Sequence, residues 1–227
     1  MSSGISSGAI ALSWSGGKDS ALTLWKLRRE GREPAVLLST VTEGYERISM
    51  HGVRRALLAS QAERVGLPLV EVAIPPGCSN EVYEQQLERA LARPSLRGIA
   101  TLAFGDLFLE DVRAYREEKL ATWGRHGLFP LWGRDTSGLA QEFINAGFEA
   151  TLTCVDRSKL ALCFAGRSFD KQFLADLPPD IDPCGEYGEF HTFVHAGPIL
   201  TSPIAYAQGE IVERDGFAFC DLVPTAA

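Results

Sequence analysis

The sequence predicts an α/β fold, a doubly wound, mostly parallel sheet followed by a smaller α+β unit, and three observations carry that expectation. From residue 9 onward, four short apolar runs alternate with three helical patterns, the order of successive βαβ units. A glycine- and serine-rich hexapeptide, Ser15-Gly16-Gly17-Lys18-Asp19-Ser20, stands where the first run gives way to the first helix. Beyond about residue 130 the rhythm stops, and short strands mix with isolated helices.

Each element has its own signal. Ala9–Ser13 reads as the first strand, and the helix over 21–30 gathers Leu22, Leu24, Trp25 and Leu27 before Gly31 stops it. A second strand over 35–41 leads to a helix over 53–65. Leu69–Ile74 is the third strand, entered through Gly66 and Pro68. Ser79 or Asn80 caps a third helix that Pro94 ends, and 99–104 is the fourth strand. Right-handed crossovers between such strands give a sheet covered on both faces, with ligands bound beyond the strands' carboxyl ends. That rule singles out residues 13–20, 42–51 and 105–111.

After a polar helix over 110–125 come an apolar run over 128–132, an amphipathic helix over 137–146 and strands over 150–155 and 160–164. A last helix over 169–177 stops at Pro178-Pro179, and strands follow over 190–194 and 211–223, the latter folded at Asp215-Gly216 into a hairpin. The expected organisation is a Ser/Gly lead-in over 1–8, one domain over 9–130 and a second over 131–227.

Charge divides the same way. The total of −7 averages a half of +2 over residues 1–100 and a half of −9 over the remainder, so phosphate chemistry is expected in the first half and neither nucleic acid nor a membrane as partner. No apolar stretch is long enough for a membrane span, and the lead-in lacks the basic and apolar regions of a secretion signal. Five widely spaced cysteines without a CxxC pair exclude a disulfide framework and a thiolate metal centre; they suit a reducing cytoplasm, and all but Cys184 are expected as small buried residues.

The hexapeptide carries the chemistry. Two glycines let backbone approach a ligand closely, and a helix N-terminus offers free amides and a positive dipole end to an anion. Lys18 adds charge, Ser15 and Ser20 add hydroxyls, and Ser13 ends the strand beneath them. Asp19 fits beside a phosphate if it caps the helix or holds Mg²⁺. A Walker A loop is excluded, because Lys18 is followed by Asp19 and not by Ser or Thr. The other reading is a plain Ser/Gly turn before a capped helix.

In the second half, residues 182–194 (DPCGEYGEFHTFV) place Glu186, Glu189, His191 and Thr192 within seven positions. If 189–193 is extended, Glu189, His191 and Phe193 share one face, and a carboxylate–imidazole pair there orients or deprotonates an incoming amine. The alternative is a solvated hairpin of ordinary polar residues. Arg116 is favoured over Arg113 for phosphate charge, against salt bridging within their own helix; Trp132 is expected to pack at the domain junction, and Cys184 is a weaker candidate nucleophile.

The loop resembles the SGGxDS motif of the PP-loop ATP pyrophosphatase superfamily (the HUP-like, adenine nucleotide alpha hydrolase-like fold), whose members split ATP between the α and β phosphates. Taken with the segment GExGEFHTFV near the end, it resembles the diphthine–ammonia ligase family. Ser49-Met50-His51-Gly52, Gly105-Asp106, Asp111, Arg116 and Pro130-Leu131-Trp132-Gly133 match between them. The resemblance implies an ATP-dependent C–N ligase that adenylates a carboxylate and forms an amide with ammonia. It implies ATP contacts at Ser15, Gly16, Gly17, Lys18, Asp19, Ser20 and Asp106; Ser13, His51 and Gly105, placed at strand ends, are expected beside them, with helix capping or packing as the other role for His51. Substrate contacts are implied at Glu186, Gly188, Glu189, His191 and Thr192, catalytic roles at Lys18, Asp19, Arg116, Glu186, Glu189 and His191, and Mg²⁺ at Asp19. Tyr187 and His191 stand where many members have Gly and Glu. With the segment over 105–117 these departures resemble a bacterial branch, for which diphthine is not the expected acceptor. A non-catalytic ATP or AMP sensor and a PP-loop ligase of a small metabolite are the alternatives. A homodimer is left open.

Overall fold

A computed structural model describes residues 8–44, 47 and 52–225. A five-stranded sheet comes first: β1 (Ala9–Ser13), β2 (Val36–Thr42), β3 (Leu69–Ile74), β4 (Ile99–Ala103) and β5 (His126–Leu128), in the order β3-β2-β1-β4-β5 with every pairing parallel. Helices α1 (Lys18–Arg29), α2 (Arg55–Val65), α3 (Asn80–Leu91) and α4 (Glu110–Thr122) make the connections. The order reverses between β1 and β4, so the loops leaving these two strands diverge and open a crevice at their carboxyl ends.

Strand alternation feeds two cores. Leu12 of β1 and Leu37 of β2 join a cluster on one face, whereas Ala11, Val36 and Leu38 point to the other, where Ala90, Leu91 and Leu120 of α3 and α4 cover them. Gly66 closes α2 in the left-handed conformation at φ 77°, a C-cap that a residue with a Cβ rarely adopts.

The second sheet is antiparallel, β7-β6-β9-β8, built from β6 (Glu149–Asp156), β7 (Phe190–Ala196), β8 (Tyr206–Arg214) and β9 (Phe217–Pro224). Helices α5 (Thr136–Asn145) and α6 (Lys171–Asp176) belong to this half, each capped by an aspartate: Asp135 accepts from the Gly138 amide at 2.6 Å and Asp170 from the Phe173 amide at 2.7 Å. Its aromatic core of Phe143, Phe148, Phe169, Phe173, Phe190 and Phe193 is continuous with Leu12, Trp14, Leu24 and Leu27 of the first half.

Three expectations change. Residues 160–164 form no strand; a 3₁₀ turn, Leu162–Phe164, takes their place, because Leu160 N bonds back to Asp156 O and Phe164 N to Ala161 O. The short β5 was not foreseen, its His126-Gly127-Leu128 sequence having neither length nor alternation; only pairing with β4 makes it a strand. Helix α1 begins at Lys18, so the hexapeptide itself supplies the first turn. The hairpin turn does fall at Asp215-Gly216, with φ values of 53° and 82°. Cys154 and Cys220 are buried as expected, and so is Cys184, the one cysteine excepted from that expectation; Cys163 is exposed and Cys78 only half-buried, against it. Among the described residues no helix is long and apolar enough to cross a membrane.

Candidate active site

The crevice at the reversal holds a cavity of about 270 Å³. Its floor is the β1–α1 connection, with Ser13, Ser15, Gly17, Lys18, Asp19 and Ser20 lining it; one wall is Phe104, Gly105, Asp106 and Arg116 from the β4 end and α4. The opposite wall is Gly185, Glu186, Gly188, Phe190, His191 and Thr192, from the turn before β7 and from β7 itself. Thirteen positions singled out in the sequence thus meet in one place although they are as far apart in the chain as residues 13 and 192.

The floor is tightly drawn. Gly16 has φ 75°, and a Cβ there would stand 2.6 Å from Gln61 Oε1; a Cβ on Gly17 would meet Thr192 O at 3.0 Å, and one on Gly105 the Asp19 backbone carbon at 2.9 Å. Glycine is required at these close approaches. No side chain of the loop caps α1; Thr192 Oγ1 of β7 instead accepts from the Lys18 amide at 3.0 Å. Ser20 Oγ donates to Gly17 O at 2.9 Å, and Ser15 Oγ accepts from Gly17 N at 3.3 Å.

Lys18 is 5% exposed, and its ammonium donates to Asp19 Oδ2 at 2.8 Å, with the Phe190 ring centroid at 5.4 Å. Burial by itself lowers the ammonium pKa, but Asp19, backed by Cys184 and Glu186, reverses this and holds Lys18 charged. Burial raises the Asp19 carboxyl, against the pull of Lys18. Across the cavity Arg116 donates to Asp106 through Nε at 2.7 Å and through a terminal nitrogen at 3.3 Å, lying 4.4 Å over the Phe104 ring. This forked pair fixes the guanidinium plane. Arg113 does pair along its own helix, with Glu117 at 2.8 Å, and lies over the rings of Phe129 and Trp132, which meet edge-on.

Glu186 is pushed up to about 7 by burial, with Asp19 and Asp106 adding to the effect, although its Oε1 accepts from the Leu107 amide at 2.8 Å. His191 is lowered to about 4 by burial and by Lys18, so its imidazole is neutral at physiological pH. Asp182 shapes the turn that presents Glu186, its Oδ1 accepting from the amides of Cys184 at 2.8 Å and Glu186 at 3.3 Å.

Two expected positions stand elsewhere. Glu189 does not line the cavity: it is 2% exposed in the bend before β7, where Oε1 accepts from Asp182 N at 3.4 Å and Oε2 has no hydrogen-bond partner among the described residues. The extended run starts only at Phe190, so the shared face expected for Glu189 and His191 does not form. Gly16 lies beneath the floor and shapes it. His51, with Ser49 and Met50, falls outside the described residues. Cys184 is buried, its thiol donates to Thr136 O at 3.3 Å, and burial pushes its pKa up to about 12, which suits a packed thiol and not a nucleophile.

Gln61 was not anticipated. It sits on α2, fully buried, and its amide donates to Gly16 O at 2.9 Å and Val194 O at 2.6 Å while accepting from Trp14 Nε1 at 3.1 Å. The only sequence signal was a polar residue on the buried stripe of a helix, where Leu57, Leu58, Ala62 and Val65 surround it. Among the described residues no group of three or more His, Cys, Asp or Glu side chains is placed to share a metal. Asp19 could therefore hold a hard cation only together with oxygen atoms of a ligand, the manner in which Mg²⁺ is usually bound beside phosphates.

Two family models match the chain, that of the diphthamide synthase N-terminal domain over residues 8–122 and that of the diphthamide synthase C-terminal domain over residues 135–222. The diphthine–ammonia ligase of Schizosaccharomyces pombe is 26% identical over 230 residues, which cover 92% of this chain and 38% of that relative. The chain thus spans well under half the length of the curated relative it matches.

Proposed function

Because the chain belongs to the diphthamide synthase family, we propose that it is an ATP-dependent ligase that adenylates a substrate carboxylate and forms an amide with ammonia, releasing AMP and pyrophosphate. The observation that supports this best is that the SGGKDS loop and the segment from Gly185 to Thr192 open onto one cavity. A phosphate floor and a carboxylate–imidazole wall facing each other suit a nucleotide and an amine that must meet over one acyl group. The divisions at residues 8 and 130 belong to the same proposal, with ATP held by the first unit and the acceptor presented by the second.

In this reading the N-terminus of α1, Ser15, Gly17, Lys18 and Ser20 bind the phosphates of ATP, and Gly16 shapes the turn that brings their backbone close. Ser13, Gly105 and Asp106 line the nucleotide side. Asp19 would hold Mg²⁺, which supplies neutralising charge to the phosphates. A carboxylate oxygen of the acceptor attacks the α phosphorus, the bond to the β-phosphate oxygen breaks, and pyrophosphate leaves against Lys18 and the forked Arg116. Ammonia then attacks the acyl carbon, the nitrogen gives up a proton to solvent, and AMP departs with the electron pair of the broken C–O bond.

Glu186, with a pKa of about 7, takes the proton from ammonium, and the neutral His191 offers a hydrogen bond that orients the ammonia. Gly188 and Thr192 leave room on the acceptor wall, and the buried Glu189 supports the turn from behind. Tyr187 and His191, together with the 105–117 segment, favour an acceptor other than diphthine, a protein or a metabolite carboxylate.

The test is product analysis. The purified chain, incubated with Mg²⁺-ATP, ammonium and size-fractionated cell extract, is expected to release AMP and pyrophosphate with one fraction; ADP as product overturns the reading, and ATP binding without turnover in any fraction favours a sensor. Lys18→Ala is expected to weaken ATP binding about tenfold or more by calorimetry.

A further inference from the structure

We infer that Gln61 is a positioning residue that locks the β1–α1 loop and strand β7 into one unit, so that the two sides of the cavity are set together; the inference rests on the ATP reading above for its functional consequence.

Gln61 lies outside the cavity and touches nothing in it, yet each of its bonds ends on a piece that shapes it. One N–H goes to Gly16 O and the other to Val194 O, and the carbonyl takes Trp14 Nε1. The side chain thus has both donors and an acceptor lone pair engaged inside a site with no water access, where an unmade bond is costly. The loop and strand also meet directly: Val194 N donates to Gly16 O at 2.9 Å, and the Lys18 amide donates to Thr192 Oγ1 at 3.0 Å. Gly16 O therefore receives one bond from β7 and one from α2, and Gln61 bonds to the residue on each side of the joint. His191 and Thr192, which line the acceptor wall, precede Val194 on β7. A change at Gln61 moves floor and wall together. The absence of a Cβ at Gly16, where one would stand 2.6 Å from Gln61 Oε1, is the steric counterpart of the same contact.

Two measurements test this. Native-state hydrogen exchange compares the Lys18 and Val194 amides in the unliganded wild type and in Gln61→Met. One common opening free energy is expected in wild type and a lower one at both amides, relative to the global unfolding free energy of the same protein, in the variant; an opening free energy that keeps its wild-type distance from global unfolding overturns the inference. The second measurement is ATP affinity of Gln61→Glu against wild type from pH 5.5 to 8, on protein whose folding is checked by circular dichroism. At pH 8 a carboxylate faces two carbonyl oxygens, and ATP binding is expected to be weaker than wild type by about tenfold. At pH 5.5 the buried acid is protonated and regains one donor, so the ratio narrows to about threefold. None of the three groups bonded to Gln61 titrates, so the pH dependence of the ratio belongs to position 61.

A folded Gln61→Glu protein with wild-type affinity throughout overturns the inference, because a residue important only for stability would change melting and leave the folded fraction's affinity alone. If Gln61→Glu fails to fold, Gln61→Met takes its place, with a weakened affinity whose ratio does not vary with pH as the expected result and wild-type affinity as the overturning one. If wild type itself binds no ATP, the ligase reading fails alone, and the exchange comparison of wild type with Gln61→Met still decides whether Gln61 joins loop and strand.

Discussion

Glu186 holds its proton to a higher pH than an ordinary carboxyl because it is buried between Asp19 and Asp106, and the Leu107 amide and Lys18 offset this only in part. In the proposed reaction the ionised form is the one that relieves ammonium of its proton, so the rate of AMP release is expected to rise through about pH 7 and to lose that rise in Glu186→Gln. Stability runs the opposite way. A carboxyl whose folded pKa is raised from 4.5 to about 7 contributes stability that is fully present below about pH 4.5 and is lost as pH rises through about 7. Urea midpoints of wild type should fall relative to Glu186→Gln across that window, and parallel midpoints would show that burial does not act on this group. Lys18, Asp19 and Glu186, which line one cavity, stood out as candidates in the chain because charged residues stand among glycines there. Gln61 was not, since a single buried amide leaves no pattern and its three partners lie 47, 45 and 133 positions away.

Among the elements, the loop after β1 depends most on backbone conformation. Gly16→Ala must place a Cβ at φ 75° and 2.6 Å from Gln61 Oε1, so a loss of about 1–3 kcal/mol is expected in chemical denaturation. Gly31→Ala, at φ 70° with nothing within 4 Å of the Cβ, supplies the comparison, since it bears only the conformational part of that cost; equal losses in the two variants would show that the contact with Gln61 is not tight. Most strands and helices of the first sheet could be read from alternation and from helix-ending glycines, because their apolar faces repeat locally, although Ser79, at the N-cap of α3, makes no side-chain capping bond. The failures were elements specified by partners: β5 exists through its register with β4, and residues 160–164 turn because their amides bond back to Asp156 and Ala161.

For the whole molecule the relevant feature is the core that runs without a break from Leu12 and Leu24 under the first sheet to Phe173 and Phe190 in the second half. Phe173 is fully buried and meets the rings of Phe164, Phe169 and Phe190, so Phe173→Ala is expected to cost about 3–5 kcal/mol. None of the four tryptophans, Trp14, Trp25, Trp123 and Trp132, lies in the second sheet, although Trp25 meets the Phe148 ring edge-on at 6.1 Å, so their fluorescence reports mainly on the other part of the chain. The substitution should shift the fluorescence and circular dichroism transitions together; a fluorescence transition that stays in place would mean that the two parts unfold separately. By itself the sequence determined the alternation of strands and helices in the first sheet, the position of the glycine- and serine-rich loop at a helix N-terminus and the unlike charge of the two halves, because each is encoded in neighbouring residues. Only the tertiary structure decided that Thr192 caps α1, that Glu189 stands outside the cavity while His191 lines it, and that Gln61 joins loop to strand. These depend on where distant segments meet, and the burial that raises Glu186 and neutralises His191 exists only after they have met.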